Sequence, residues 1–131
     1  MTAFPARPRR SLGMAVLAFR DTPLLPRLIA ALMDVGFEVK PFTEAGAALA
    51  FVLDHGPGRL VVVADADLAG VMNGIDLSTV LAERLPALPI VLADHFDGTL
   101  APNVVCLDKP WTLHKLTEQV LKVAAGRVAK G

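Results

Sequence analysis

The residues best placed to do chemistry in this chain are two carboxylates and an amine, Asp21, Asp65 and Lys109. Each closely follows an apolar run that reads as a β-strand, and Asp67 lies just past Asp65. In an open α/β sheet, polar groups at the carboxyl ends of the strands gather along one edge. Asp21 and Asp65 would converge there. Paired hard oxygen ligands suit Mg²⁺, which keeps several waters and takes one or two carboxylates. A lysine on a neighbouring strand could neutralise a phosphoryl oxygen. Mg²⁺-assisted transfer of a phosphoryl group to a carboxylate is the chemistry these residue types allow.

Such a site needs strands and helices that alternate, and the chain supplies them. Leu12 to Phe19 is a continuous apolar run closed by Arg20-Asp21, which fits a strand buried on both faces. Asp21 or Thr22 can cap a helix with Pro23 in its first turn and Leu24, Leu25, Leu28, Ile29, Leu32 and Met33 inward. Gly36 ends that helix. Phe37 to Phe42 is a second strand. Thr43 caps a second helix with Ala47, Ala48, Phe51 and Val52 inward, broken at His55-Gly56-Pro57-Gly58. Leu60 to Ala64 is the most β-branched run and the best central strand. A loop from Asp65 to Gly74 leads to a helix over 75–85. Ile90 to Ala93 and Val104 to Leu107 are strands, and Thr112 caps a last helix. Alternation of this kind implies a doubly wound, five-stranded parallel sheet with helices on both faces.

Composition limits the alternatives. The 131 residues suit one domain, with 53% hydrophobic and 20% charged residues, so the chain is globular. Residues 1–11 hold Arg7, Arg9 and Arg10 and no apolar period, and read as a flexible basic tail before a single domain over 12–128. Formal net charge is zero, which calls for neither nucleic acid nor an anionic membrane. No segment approaches the ~20 apolar residues of a membrane helix, so the cytoplasm is the expected location. The single cysteine, Cys106, excludes an internal disulfide.

The stretch Leu60-Val-Val-Val-Ala-Asp65-Ala-Asp-Leu-Ala-Gly-Val-Met-Asn-Gly74 resembles the acceptor strand and loop of response-regulator receiver domains. Val104-Val-Cys-Leu-Asp-Lys109-Pro110-Trp111 resembles their final strand and Lys-Pro-aromatic signature, and Val16 to Asp21 their first strand and acidic pair. The similarity spans roughly residues 12–125. It implies a flavodoxin/receiver-like fold in which Asp65 accepts the phosphoryl group. Asp21, Asp65 and the backbone carbonyl of Asp67 would hold Mg²⁺, Lys109 would contact the phosphoryl group, and a cis peptide bond would precede Pro110. It also implies a signalling module, not an enzyme, partnered by a histidine kinase or phosphotransfer protein, with a homodimer left open.

Several residues depart from that pattern. Arg20 replaces the first acid of the pair. It would weaken Mg²⁺ binding by repulsion, unless it swings into solvent, or it could itself reach the acceptor carboxylate or a phosphoryl oxygen. After the fourth strand, where the family carries Thr or Ser, stands Ala93 or, one register on, Asp94, and neither can donate a hydroxyl. The aromatic switch position falls near Cys106 or Leu107. Asp94 to Asn103 has no helical period, so the family's fourth helix is expected to be reduced or absent. Two readings follow: a stand-alone phosphoreceiver, or a degenerate receiver acting as a phosphorylation-independent interaction module.

Plainer roles stand beside these. Asp65 could cap a loop turn and Asp21 a helix, and a lone lysine is usually solvated. His55, His95 and His114 are too dispersed for zinc. Trp111 reads as packing. Gly56-Pro57-Gly58 follows a helix, not a strand, and so fails as a phosphate loop.

Overall fold

The computed structural model describes residues 12–56, 58–94, 98–108 and 110–130, with side chains through Gly126. The tail expected over 1–11, His95, Lys109 and the bond before Pro110 lie outside the described residues. The elements run β1 (Met14–Ala18), α1 (Leu24–Asp34), β2 (Glu38–Phe42), α2 (Ala45–His55), β3 (Leu60–Asp65), α3 (Gly74–Arg84), β4 (Ile90–Ala93), β5 (Val104–Leu107) and α4 (Leu113–Lys130). The five strands form one sheet in the order β2-β1-β3-β4-β5. Every pairing is parallel. This is the doubly wound arrangement that the alternation implied.

β3 is central, and all six of its residues are buried. Its side chains alternate between two cores, as strand geometry requires. Val62 and Ala64 join Val16, Ile90 and Leu92 under Ala48, Val52, Leu77 and Leu81 of α2 and α3. Val61 and Val63 join Leu17 and Val91 under Leu28, Leu32, Leu116 and Val120 of α1 and α4. A strand buried on both faces shows no polar alternation, which is why Leu60 to Ala64 reads as one apolar run. The sheet's edges differ. β2 exposes Glu38, Lys40 and Pro41, and a proline and a lysine discourage further strand pairing.

Several local expectations need correction. β1 is shorter at both ends than the apolar run Leu12 to Phe19, and β2 starts at Glu38. Met33 is 59% exposed on the outer side of α1. Ala47 is also exposed, because Ala45 takes the inward place in the first turn of α2. Helical spacing alone leaves that choice open among alanines. The capping residue of α2 is Glu44, not Thr43, and no side chain caps it. Pro23 occupies the N-cap of α1, while Thr22 Oγ1 accepts from the Leu24 amide at 3.3 Å. Gly36 closes the helix as expected, with φ of 113° and its amide donating to Met33 O at 3.0 Å. Thr112 does cap α4, accepting from Lys115 N at 3.0 Å.

Between β4 and β5 there is no helix among the described residues. Leu100 and Ala101 pack on the first core in its place. Beside them, α3 and the segment 99–101 border an open cleft of about 210 Å³ with Val104 at its base. No helix among the described residues is long and apolar enough to cross a membrane.

Candidate functional site

The sheet's carboxyl edge brings Asp65 and Arg20 together. Asp65 is the last residue of β3 and pairs in register with Ala93, the last of β4. In the next ladder Ala18 pairs with Ala64, so Arg20 leaves β1 at the level where β3 ends. Arg20 Nε donates to Asp65 Oδ2 at 2.8 Å, and the Arg20 main-chain amide reaches the same oxygen at 3.3 Å. The Asp67 amide donates to Oδ1 at 3.0 Å. The Asp65 side chain is 5% exposed and that of Arg20 49%. A carboxylate removed from water to this degree requires a counter-charge and hydrogen-bond donors, and residues 20 and 67 provide both.

The pair holds Arg20 firmly in its charged form. Its pKa is raised, first by the hydrogen bond to Asp65 and next by that carboxylate's charge; burial opposes the rise, and the charges of Asp67 and Asp94 add to it. Of the destinations open to Arg20 in the sequence, the Asp65 carboxylate is the one it takes.

The loop beyond Asp65 is braced from α3. Asn73 caps that helix by accepting from Asp76 N at 2.8 Å, while Asp76 Oδ2 accepts from Asn73 N at 3.2 Å. This reciprocal cap has its sequence signal in Asn73-Gly-Ile-Asp76, which the acceptor-loop resemblance does not single out. It sets Gly74 against the Asp65 main chain, where a side chain would overlap the Asp65 carbonyl. The bond from Asp67 N also makes the Asx turn that Asp65 could form in any loop.

The remaining candidates fall unevenly. Asp21 is exposed, and its carboxylate has no hydrogen-bond or ion-pair partner among the described residues. Asp67 donates its amide to Asp65 Oδ1. Ala93 is buried opposite Asp65 and offers no hydroxyl. Asp94 follows with φ of 125°, and its carbonyl accepts from Cys106 Sγ at 2.6 Å. Trp111 packs against the α1–α4 core, as expected.

The donor set can be tested for the Mg²⁺ that the resemblance implies. Asp65 Oδ2 is occupied by the Arg20 guanidinium and by the Arg20 main-chain amide. Mg²⁺ demands near-octahedral oxygen ligation and sheds water reluctantly. The described residues do not fit it in this arrangement.

No protein-family model matches the chain, and no curated protein matches it. Solved structures do. A response-regulator receiver protein from Sinorhizobium medicae WSM419 superposes with a TM-score of 0.75 at 24% identity, over 91% of this chain and 98% of that one. The chain has the receiver fold. A CheY-like receiver domain protein from Methanospirillum hungatei JF-1 gives 0.70 at 18% identity, over 90% and 98%. The receiver domain of NtrX from Brucella abortus gives 0.67 at 20% identity, over 86% and 98%. In this fold Asp65 stands at the end of the central strand, with the Arg20 side chain on its carboxylate.

Proposed function

We propose that this chain is a receiver-type signalling domain that acts by docking to a partner protein, without taking a phosphoryl group on Asp65. The observation that carries this reading is the engagement of the acceptor-position carboxylate: Oδ2 by Arg20 and Oδ1 by the Asp67 amide. A carboxylate must present an oxygen to an incoming phosphorus to act as nucleophile, and here two donors hold Oδ2 and a third holds Oδ1. The lack of a hydroxyl at Ala93 points the same way, since nothing there would read a phosphoryl oxygen. The partner class is a histidine kinase or phosphotransfer protein, by likeness to the receiver fold.

Phosphoryl acceptance on Asp65 is the second reading. It is favoured by the position of that residue, buried at the end of the central strand on the edge where receiver-fold chemistry would sit. Intact mass after incubation with acetyl phosphate and Mg²⁺, with Asp65→Asn in parallel, separates the two. The docking reading expects no adduct on the parent. An adduct present on the parent, absent from Asp65→Asn and lost with EDTA would establish the second reading.

A further inference from the structure

We infer that the guanidinium of Arg20 takes the place beside Asp65 that a divalent cation would need, so that this site is charge-compensated from within and binds no Mg²⁺. The inference deepens the docking reading by naming the residue that sets the state of the site.

The geometry carries it. Arg20 approaches Oδ2 twice, through Nε at 2.8 Å and through its own main-chain amide at 3.3 Å. The side-chain contact is therefore tied to the backbone course of the chain leaving β1. The amide of Asp67 holds the other oxygen. A carboxylate has about four lone-pair sites, and three donors already point at these two oxygens. A cation entering the shell of Asp65 would also meet a fixed like charge within a few ångström. Arginine suits the post better than lysine. Its guanidinium is more weakly hydrated than an ammonium and stays charged in partly buried pairs. Asp67 and Asp94 reinforce that charge. One arginine thus does the electrostatic work of an ion that otherwise has to be recruited from solution.

The test is thermal unfolding with MgCl₂ up to about 10 mM, against NaCl at matched ionic strength, on the parent, Arg20→Asp and Arg20→Ala. Binding to the folded state alone raises the midpoint by mass action, by about 5 °C at tenfold excess over Kd for a domain of this size. The parent is expected to show no Mg²⁺-specific rise, and Arg20→Asp to gain one that EDTA removes. Arg20→Ala covers the case in which Arg20→Asp does not fold, and a Mg²⁺-specific rise in it counts equally. A saturable Mg²⁺ response in the parent would overturn the inference. So would a flat response in the parent and in every variant that folds, because Arg20 would then not be what keeps the cation out. The acetyl phosphate experiment fails separately. An adduct formed on the parent in the presence of EDTA would end the docking reading and leave the inference standing. Mg²⁺ binding to the parent without an adduct would do the reverse.

Discussion

Gly74 packs its Cα against the main-chain carbonyl of Asp65, leaving no room for a side chain. The first residue of α3 is thereby seated directly beneath the residue at the centre of the site. Gly74→Ala must push the helix start or the end of β3 aside. Overpacking against backbone costs about 1–3 kcal/mol, and the upper part of that range is expected because main chain cannot rotate away. Urea unfolding measures the loss. A change below about 0.5 kcal/mol would mean the loop relaxes freely, since that is the scatter of innocuous surface substitutions.

Removing the counter-charge should expose the cost of burying Asp65. Arg20→Ala is expected to destabilise by about 1–2 kcal/mol, a moderate figure because Arg20 is half exposed while Asp65 is not. Asp65→Asn in the same background should recover part of that loss, because a neutral amide tolerates burial without a cation. A double-mutant cycle reads the coupling directly. Strictly additive effects would deny that the two residues work as a pair.

The pair should be insensitive to ordinary pH on the arginine side. Arg20 has a folded pKa above its unfolded value, through its hydrogen bond to Asp65 and then that residue's charge. Such a group contributes its full stability below the unfolded pKa and loses it only as pH rises through the folded one. For an arginine that window lies in strong alkali. The stability gap between the parent and Arg20→Gln should therefore be flat between about pH 6 and pH 10. Denaturant titrations at intervals across that range check it, and a gap that closes on the alkaline side would assign the contribution to another group.

The cap of α3 supports a fourth expectation. Asn73→Ala removes the acceptor for Asp76 N and one half of a reciprocal pair. The loss should be about 1 kcal/mol. Asn73→Asp, which keeps an acceptor oxygen at a helix N-terminus, should recover most of it. Amide exchange in the first turn of α3 gives a local readout alongside global stability.

The fold was legible in the sequence because its sheet is buried on both sides. Runs such as Leu60 to Ala64 carry no polar interruptions, and Gly36 and Thr112 punctuate the helices where they stop and start. Which alanine of α2 faces inward was not legible, because Ala45, Ala47 and Ala48 have the same chemistry and burial depends on the tilt of the helix. The site divided along similar lines. Asp65 was found because it ends a strand whose limits were clear. The contact from Arg20 could be named only as one of several destinations, because a long side chain beside a strand end reaches solvent, the neighbouring carboxylate or a group bound to it. Asp21, in the loop after β1, is exposed.

Asp65 also hangs between two main-chain amides, with Arg20 N–H on one oxygen and Asp67 N–H on the other. Each oxygen therefore has its own main-chain amide proton, and each amide its own resonance in a nitrogen–proton correlation spectrum. Anything that arrives at one oxygen alone should displace one peak and leave its companion nearly in place. Rotation of the whole carboxylate should move both. The domain thus carries a two-channel spectroscopic probe of a buried acid at its sheet edge, read without attaching a label.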